Sequence, residues 1–305
     1  MIISRRIFCA LLTATLSLGP VGGIAADTKA QSGLEAENSF ETDRIVVKSG
    51  PKAGSDVILL PGLATPGAVW DGLVSDLEGR ATVHVVDVKG FGVGDGAANA
   101  EGGMMEGVLA DIAAFIDERG LEKPALVGHS LGGTLALQAG IETPDLYGKL
   151  MVVDALPFVA LLFDPQATVE SVKSQAESMR DQMASAPAGA NAKQTAERYA
   201  IDDDAKQQIA GWIAASDPAA VAQAFYEDMQ ADFRPELAEI GPAVTLVVPV
   251  PPEAEGQNFP QQYEALYSDV PELEVVPIEG ARHFVMLDQP EEMTAAVEKF
   301  LELDE

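Results

Sequence analysis

Ser130 stands at the centre of Gly128-His129-Ser130-Leu131-Gly132. The apolar run Pro124-Ala125-Leu126-Val127 precedes it, and Gly133-Thr134-Leu135-Ala136-Leu137-Gln138-Ala139 follows with helical spacing. A serine between a strand and a helix in G-x-S-x-G is lifted onto a strained turn with its hydroxyl exposed. Gly128 and Gly132 flank it where a side chain would collide across so tight a turn. A free serine hydroxyl is a poor nucleophile near neutral pH, so the turn does chemistry only with a base close by. The chain offers three histidines: His84, His129 and His283. His84 alternates with apolar residues in Thr-Val-His-Val-Val-Asp-Val, a pattern that suits a structural role. His283 lies far downstream in Gly280-Ala281-Arg282-His283-Phe284, and Leu60-Pro61-Gly62-Leu63 lies far upstream after the apolar run Val57-Ile58-Leu59-Leu60.

The elements that must position these groups are readable from hydrophobic period. Strands are expected at residues 44–48, 57–60, 82–88, 125–127, 149–153, 243–248 and 273–278. Helical spacing appears at 109–119 and at 291–301, the latter with Met293, Val297, Phe300 and Leu301 facing inward. Apolar strands alternating with helices predict an α/β fold, a mostly parallel sheet covered by helices on both faces. The alternation stops across residues 156–240, where four helices are expected at 167–183, 192–199, 203–214 and 218–229. So long a stretch between two strands exceeds an ordinary connection.

With the strand–turn–helix setting, the upstream Leu60-Pro61-Gly62-Leu63 and the downstream histidine, the chain resembles the α/β-hydrolase superfamily from about residue 45 to residue 301. The resemblance implies a helical cap inserted after the sixth strand, over the active site, and a catalytic order of Ser, acid, His. Ser130 is then the nucleophile and His283 its general base. His129 is expected to point away from the nucleophile. The oxyanion donors implied are the backbone N–H groups of Leu131 and Leu63. Pro61-Gly62 stands where many relatives have His-Gly, a change that a backbone donor tolerates. Trp70 is either a core aromatic or part of the pocket entrance.

The acid is ambiguous. Relatives usually carry it just after the seventh strand, and here that stretch reads Val248-Pro249-Val250-Pro251-Pro252-Glu253-Ala254-Glu255, without an aspartate. Asp154, at the end of Met151-Val152-Val153-Asp154, is the preferred candidate, because a carboxylate at a strand end is rigidly held. Glu253 and Glu255 remain as alternatives in the usual loop.

Other chemistry finds little footing. No HExxH and no Cys/His cluster is present, so no metal or other cofactor is expected. Gly90-Phe91-Gly92-Val93-Gly94-Asp95-Gly96 lacks the Lys-Ser/Thr of a P-loop and the spacing of G-x-G-x-x-G, so it reads as a strand-end loop beside the site. A net charge of −29 disfavours nucleic acid and anionic membrane as partners.

Residues 1–25 have Arg5 and Arg6, an apolar middle and small residues up to Ala25, as a secretory signal peptide does. Ser4-Arg5-Arg6-Ile7-Phe8 also fits twin-arginine export. Cleavage would remove Cys9, the single cysteine, and leave no stable membrane insertion. The expected organisation is a signal peptide at 1–25, a disordered leader at 26–43 and one hydrolase domain at 44–305, capped by about 156–240. The expected activity is that of an exported, periplasmic or extracellular serine hydrolase with a small-molecule acyl substrate: an ester, thioester or amide. Acyl transfer, carbon–carbon bond hydrolysis and non-catalytic ligand binding on the same fold stay open.

Overall fold

Along Asp56–Leu60 successive side chains alternate faces: Ile58 and Leu60 join one hydrophobic core, Val57 and Leu59 a second across the sheet. A strand covered on both faces needs an apolar residue at nearly every position, which makes such runs continuous rather than alternating. The computed structural model describes Leu34, residues 39–254 and residues 256–303. The expected signal peptide, Cys9 with it, and the leader's residues 26–33 and 35–38 lie outside the described residues.

The strands are β1 Ser39–Glu41, β2 Ile45–Ser49, β3 Asp56–Leu60, β4 Thr82–Val88, β5 Ala125–His129, β6 Lys149–Val153, β7 Ala243–Val250 and β8 Leu273–Glu279. They form one eight-stranded sheet in the order β1-β2-β4-β3-β5-β6-β7-β8. β2 pairs antiparallel with β1 and β4, and every other neighbouring pair is parallel. β1 was not foreseen: the polar stretch read as leader ends sooner than residue 43. Phe40 explains it, packing edge-to-face on Phe115 at 5.5 Å and so docking a short strand on the sheet edge.

Helices α1 Asp71–Asp76, α2 Met104–Arg119 and α3 Leu131–Glu142 alternate with strands β3 to β6. Between β6 and β7 come α4 Val169–Ser185, α5 Ala192–Tyr199, α6 Asp203–Ala215 and α7 Pro218–Asp228. Each lies within two residues of its expected range. Local signals set their starts. Thr168 and Ser171 form a capping box on α4, while Asp202 and Asp217 accept backbone N–H groups at the starts of α6 and α7. After β7 come α8 Phe259–Leu266, α9 Val285–Asp288 and α10 Pro290–Leu301. α2, α3 and α8 pack into one core, and α1 and α10 into the other.

The segment between β6 and β7 is fastened to the body from two sides. On one, Glu227 of α7 accepts the N–H groups of Met104 at 3.0 Å and Met105 at 2.8 Å, capping α2 from outside its own sequence. The α2 N-cap, Gly103, has no side chain for that purpose. Gly90 accepts the Asp217 N–H at 2.8 Å, so the glycine-rich loop receives the start of α7. A Cβ at Gly90 would press on Ala220 Cβ at 2.8 Å, a close approach that accounts for a glycine there. On the other side, α5 and the turn after it meet the loop that carries His283.

Candidate active site

Ser130 joins β5 to α3 with φ 54° and ψ −122°, a conformation that costs on the order of 1–3 kcal/mol. The surroundings hold it. Its N–H donates to Val153 O at 2.9 Å, and its carbonyl accepts Gly133 N–H at 2.7 Å and Thr134 N–H at 3.0 Å. Gly128 faces the Gly132 carbonyl, and a Cβ on Gly132 would lie 2.6 Å from Leu60 O. Both glycines are therefore steric requirements of the turn.

The upstream loop passes directly over this serine. A Cβ on Gly62 would lie 3.0 Å from both Ser130 Cβ and His129 Nδ1. Leu63 follows immediately, and Leu131 opens α3 right after Ser130. Among the described residues, neither the Leu63 nor the Leu131 amide N–H meets a protein acceptor. At Leu131 this is the ordinary state of a helix's first turn, whose N–H groups point outward. Buried Asp87 fixes the loop's path, accepting Gly67 N–H at 2.7 Å while its other oxygen meets Lys48 Nζ at 2.8 Å. Trp70 is fully buried in the core, its ring edge-on to His129 at 6.5 Å.

The carboxylate beside His283 is Asp154. Its Oδ2 lies 2.7 Å from His283 Nδ1. A carboxylate only accepts, so Nδ1 carries the proton and Nε2 is left as the basic nitrogen. Asp154 has φ 46° and continues the sheet through its N–H, which donates to Val247 O at 3.0 Å. Its Oδ1 accepts the Tyr263 hydroxyl at 2.7 Å. Burial pushes the Tyr263 hydroxyl well above the usual phenol range, and the Asp154 charge pushes it further, so it stays protonated and donates. Glu253 points elsewhere: its carboxylate lies 3.4 Å from the Arg282 guanidinium with 59% of its side chain exposed. Glu255 lies outside the described residues. Among the described residues, no hydrogen bond engages the Ser130 hydroxyl.

Residues 57–297 match the Alpha/beta hydrolase family. The chain belongs to this family. A pimeloyl-[acyl-carrier protein] methyl ester esterase of Aliivibrio salmonicida is 34% identical over 104 residues, 34% of this chain and 37% of the relative. An N-formylmaleamate deformylase of Pseudomonas putida is 31% identical over 101 residues, 33% of this chain and 37% of the relative. These matches span little more than a third of each relative's length. Over most of the chain the fold is that of a thermophilic esterase from Thermogutta terrifontis, with TM-score 0.69 and 20% identity. That alignment covers 85% of this chain and 93% of the esterase. An enol-lactonase from Burkholderia xenovorans LB400 also has TM-score 0.69, at 16% identity over 87% of this chain and 99% of its own.

In this α/β hydrolase, His129 lies against the loop that carries His283. Its Nε2 donates to the His283 carbonyl at 2.9 Å, and the two rings stand 4.5 Å apart. Burial, then the neighbouring His283, push the His129 imidazole well below its usual range, so it stays neutral. The segment after β6 also reaches His283. The Tyr199 ring of α5 lies 4.7 Å from the His283 ring, and Phe284 N–H donates to Tyr199 O at 3.1 Å. Asp288 accepts Arg282 N–H at 2.9 Å and Ile201 N–H at 2.7 Å, tying the α5–α6 turn to the histidine loop. Sequence reading missed Tyr199, Tyr263, Asp288 and the contact of His129 with the His283 loop. Phe259, Tyr263 and Tyr267 do show a helical four-residue spacing that signals the face of α8. His84 is a buried strand residue bonded to Ser49 Oγ at 2.8 Å and Asp56 Oδ1 at 3.0 Å, as its alternating pattern suggests. Among the described residues no helix is long and apolar enough to cross a membrane.

Proposed function

We propose that this protein is an exported serine hydrolase that cleaves small carboxylic esters through an acyl-enzyme on Ser130. The observation that carries the reading is the 2.7 Å contact between His283 Nδ1 and Asp154, beside a serine pressed against Gly62. In the first half-reaction Ser130 Oγ attacks the ester carbonyl carbon while His283 Nε2 takes its proton. The carbonyl oxygen, now negative, receives hydrogen bonds from the Leu63 and Leu131 N–H groups. Collapse breaks the carbon–alkoxy bond, and His283 returns the proton to the leaving alcohol. Water then repeats the sequence on the acyl-enzyme, releasing the acid and restoring Ser130. Asp154 keeps His283 in the tautomer with Nε2 unprotonated and balances the imidazolium that forms.

Ester substrates are favoured because the relatives and fold neighbours include a methyl ester esterase and an esterase. Export is favoured by the basic start, apolar middle and small-residue end of residues 1–25. Reading the chain as a binding protein rested on the missing aspartate after β7. With Asp154 on His283, that motive falls away. The test is hydrolysis of p-nitrophenyl esters from acetate to decanoate by the protein without residues 1–25. Turnover that disappears in Ser130→Ala is expected. A folded wild type that cleaves none of them, or a Ser130→Ala variant as active as wild type, would contradict the reading.

A further inference from the structure

We infer that Tyr263 is a positioning residue for the acid: by donating to the Asp154 oxygen that His283 does not use, it sets the rotation of the carboxylate and the share of its charge that reaches His283. The inference rests on the proposed roles of Ser130, His283 and Asp154. Rotation of a carboxylate about its terminal torsion is only broadly restricted. Asp154 needs a partner on each oxygen to stay aligned, and with 12% of its side chain exposed it has little water to supply one. His283 takes Oδ2 and Tyr263 takes Oδ1, each at 2.7 Å. Four residues on, at the C-cap of α8, Tyr267 is fully buried and donates to Ala155 O at 3.0 Å. α8 and its C-cap residue thus hold both the Asp154 side chain and the backbone just beyond it, with φ 46° at Asp154 itself. α8 lies in the connection after β7, the region where this chain lacks an aspartate. It supports an acid on the neighbouring strand instead.

Few other groups bear on the pair. Tyr199 of α5 packs tilted on the His283 ring, and His129 of β5 packs on it as a neutral ring. Arg282 turns its guanidinium to Glu197 O, Ala200 O and Glu253, and Asp288 is taken up by backbone N–H groups. Among the described residues, only His283 and Tyr263 hydrogen-bond the Asp154 carboxylate. Removing the Tyr263 hydroxyl therefore concentrates the carboxylate charge on His283 and frees one rotation.

The experiment is Tyr263→Phe, assayed with p-nitrophenyl acetate across pH, alone and combined with Asp154→Asn. Expected are a kcat lower by about ten-fold with KM within about two-fold, because alignment rather than substrate contact is lost. The acidic limb of kcat/KM should move up by about half a pH unit, since the imidazole then holds its proton more firmly. In the Asp154→Asn background the same change should cost less than about two-fold, as coupled residues require. Tyr267→Phe is the structural control. It loses a buried bond on the same helix and should lower Tm with the acidic limb unmoved. A Tyr263→Phe enzyme with wild-type kcat and pH profile, or an equal loss in both backgrounds, would overturn the inference while leaving the triad intact. Full activity in Asp154→Asn alone would overturn the triad reading, and the inference with it.

Discussion

β6 and β7 run side by side with Val153 opposite Val247, yet their ends offer a carboxylate very different surroundings. At the end of β6, Asp154 is locked by a sheet hydrogen bond through its N–H and by a donor on each side-chain oxygen. β7 runs on to Val250 and then into Pro251-Pro252, and its first carboxylate, Glu253, sits in solvent beside Arg282. A carboxyl group near the right strand is therefore not enough. What qualifies an acid is a backbone that cannot drift and partners that fix both oxygens. Prolines at the end of β7 remove two backbone donors from the place where such anchoring would begin.

The largest expected effect separates the two ends directly. Asp154→Asn should lower kcat by about 10⁴-fold, the scale seen when a triad aspartate loses its charge and its hold on the histidine tautomer. Glu253→Gln should stay within about two-fold of wild type, because an exposed ion pair contributes little. Steady-state kinetics on p-nitrophenyl acetate measure both. A reversed ranking would move the acid back to the β7 loop.

A third carboxylate shows what burial does without that anchoring. Asp228, at the end of α7, is buried against Thr134 with Oδ1 unpartnered among the described residues, and burial pushes it up to about 7. Its unfolded counterpart ionises near 3.8, so the folded state binds more protons throughout the interval between. Stability from this group is greatest below about pH 4, declines as pH rises toward 7, and is flat above. Asp228→Asn should therefore raise Tm by about 5 °C at pH 8, where the wild type must bury a charge, and by much less at pH 4.5. Thermal melts at the two pH values decide it, and equal shifts at both would mean that Asp228 is not held protonated.

The fold was largely readable because its signals are local. Apolar runs marked β3, β5 and β6, and helical spacing marked α4 to α7. Ser130 was readable because a turn so tight demands Gly128 and Gly132 at fixed spacing. The carboxylate beside His283 was readable only as a preference for Asp154 over Glu253 and Glu255, since choosing among them requires knowing the path of a proline-rich loop. α8 escaped notice because eight residues leave only a brief period, and Tyr263 went with it. The contact of His129 with the His283 carbonyl escaped notice for a related reason: it is made across 154 positions of sequence.

The most direct test is covalent. Folded wild-type protein is treated with a fluorophosphonate, and the adduct is mapped by peptide mass spectrometry. One adduct on the peptide bearing Ser130, absent in Ser130→Ala and formed far more slowly in Asp154→Asn than in Glu253→Gln, is the expected result. No adduct on the folded protein, or one on another residue, would contradict a nucleophile activated by His283 and Asp154.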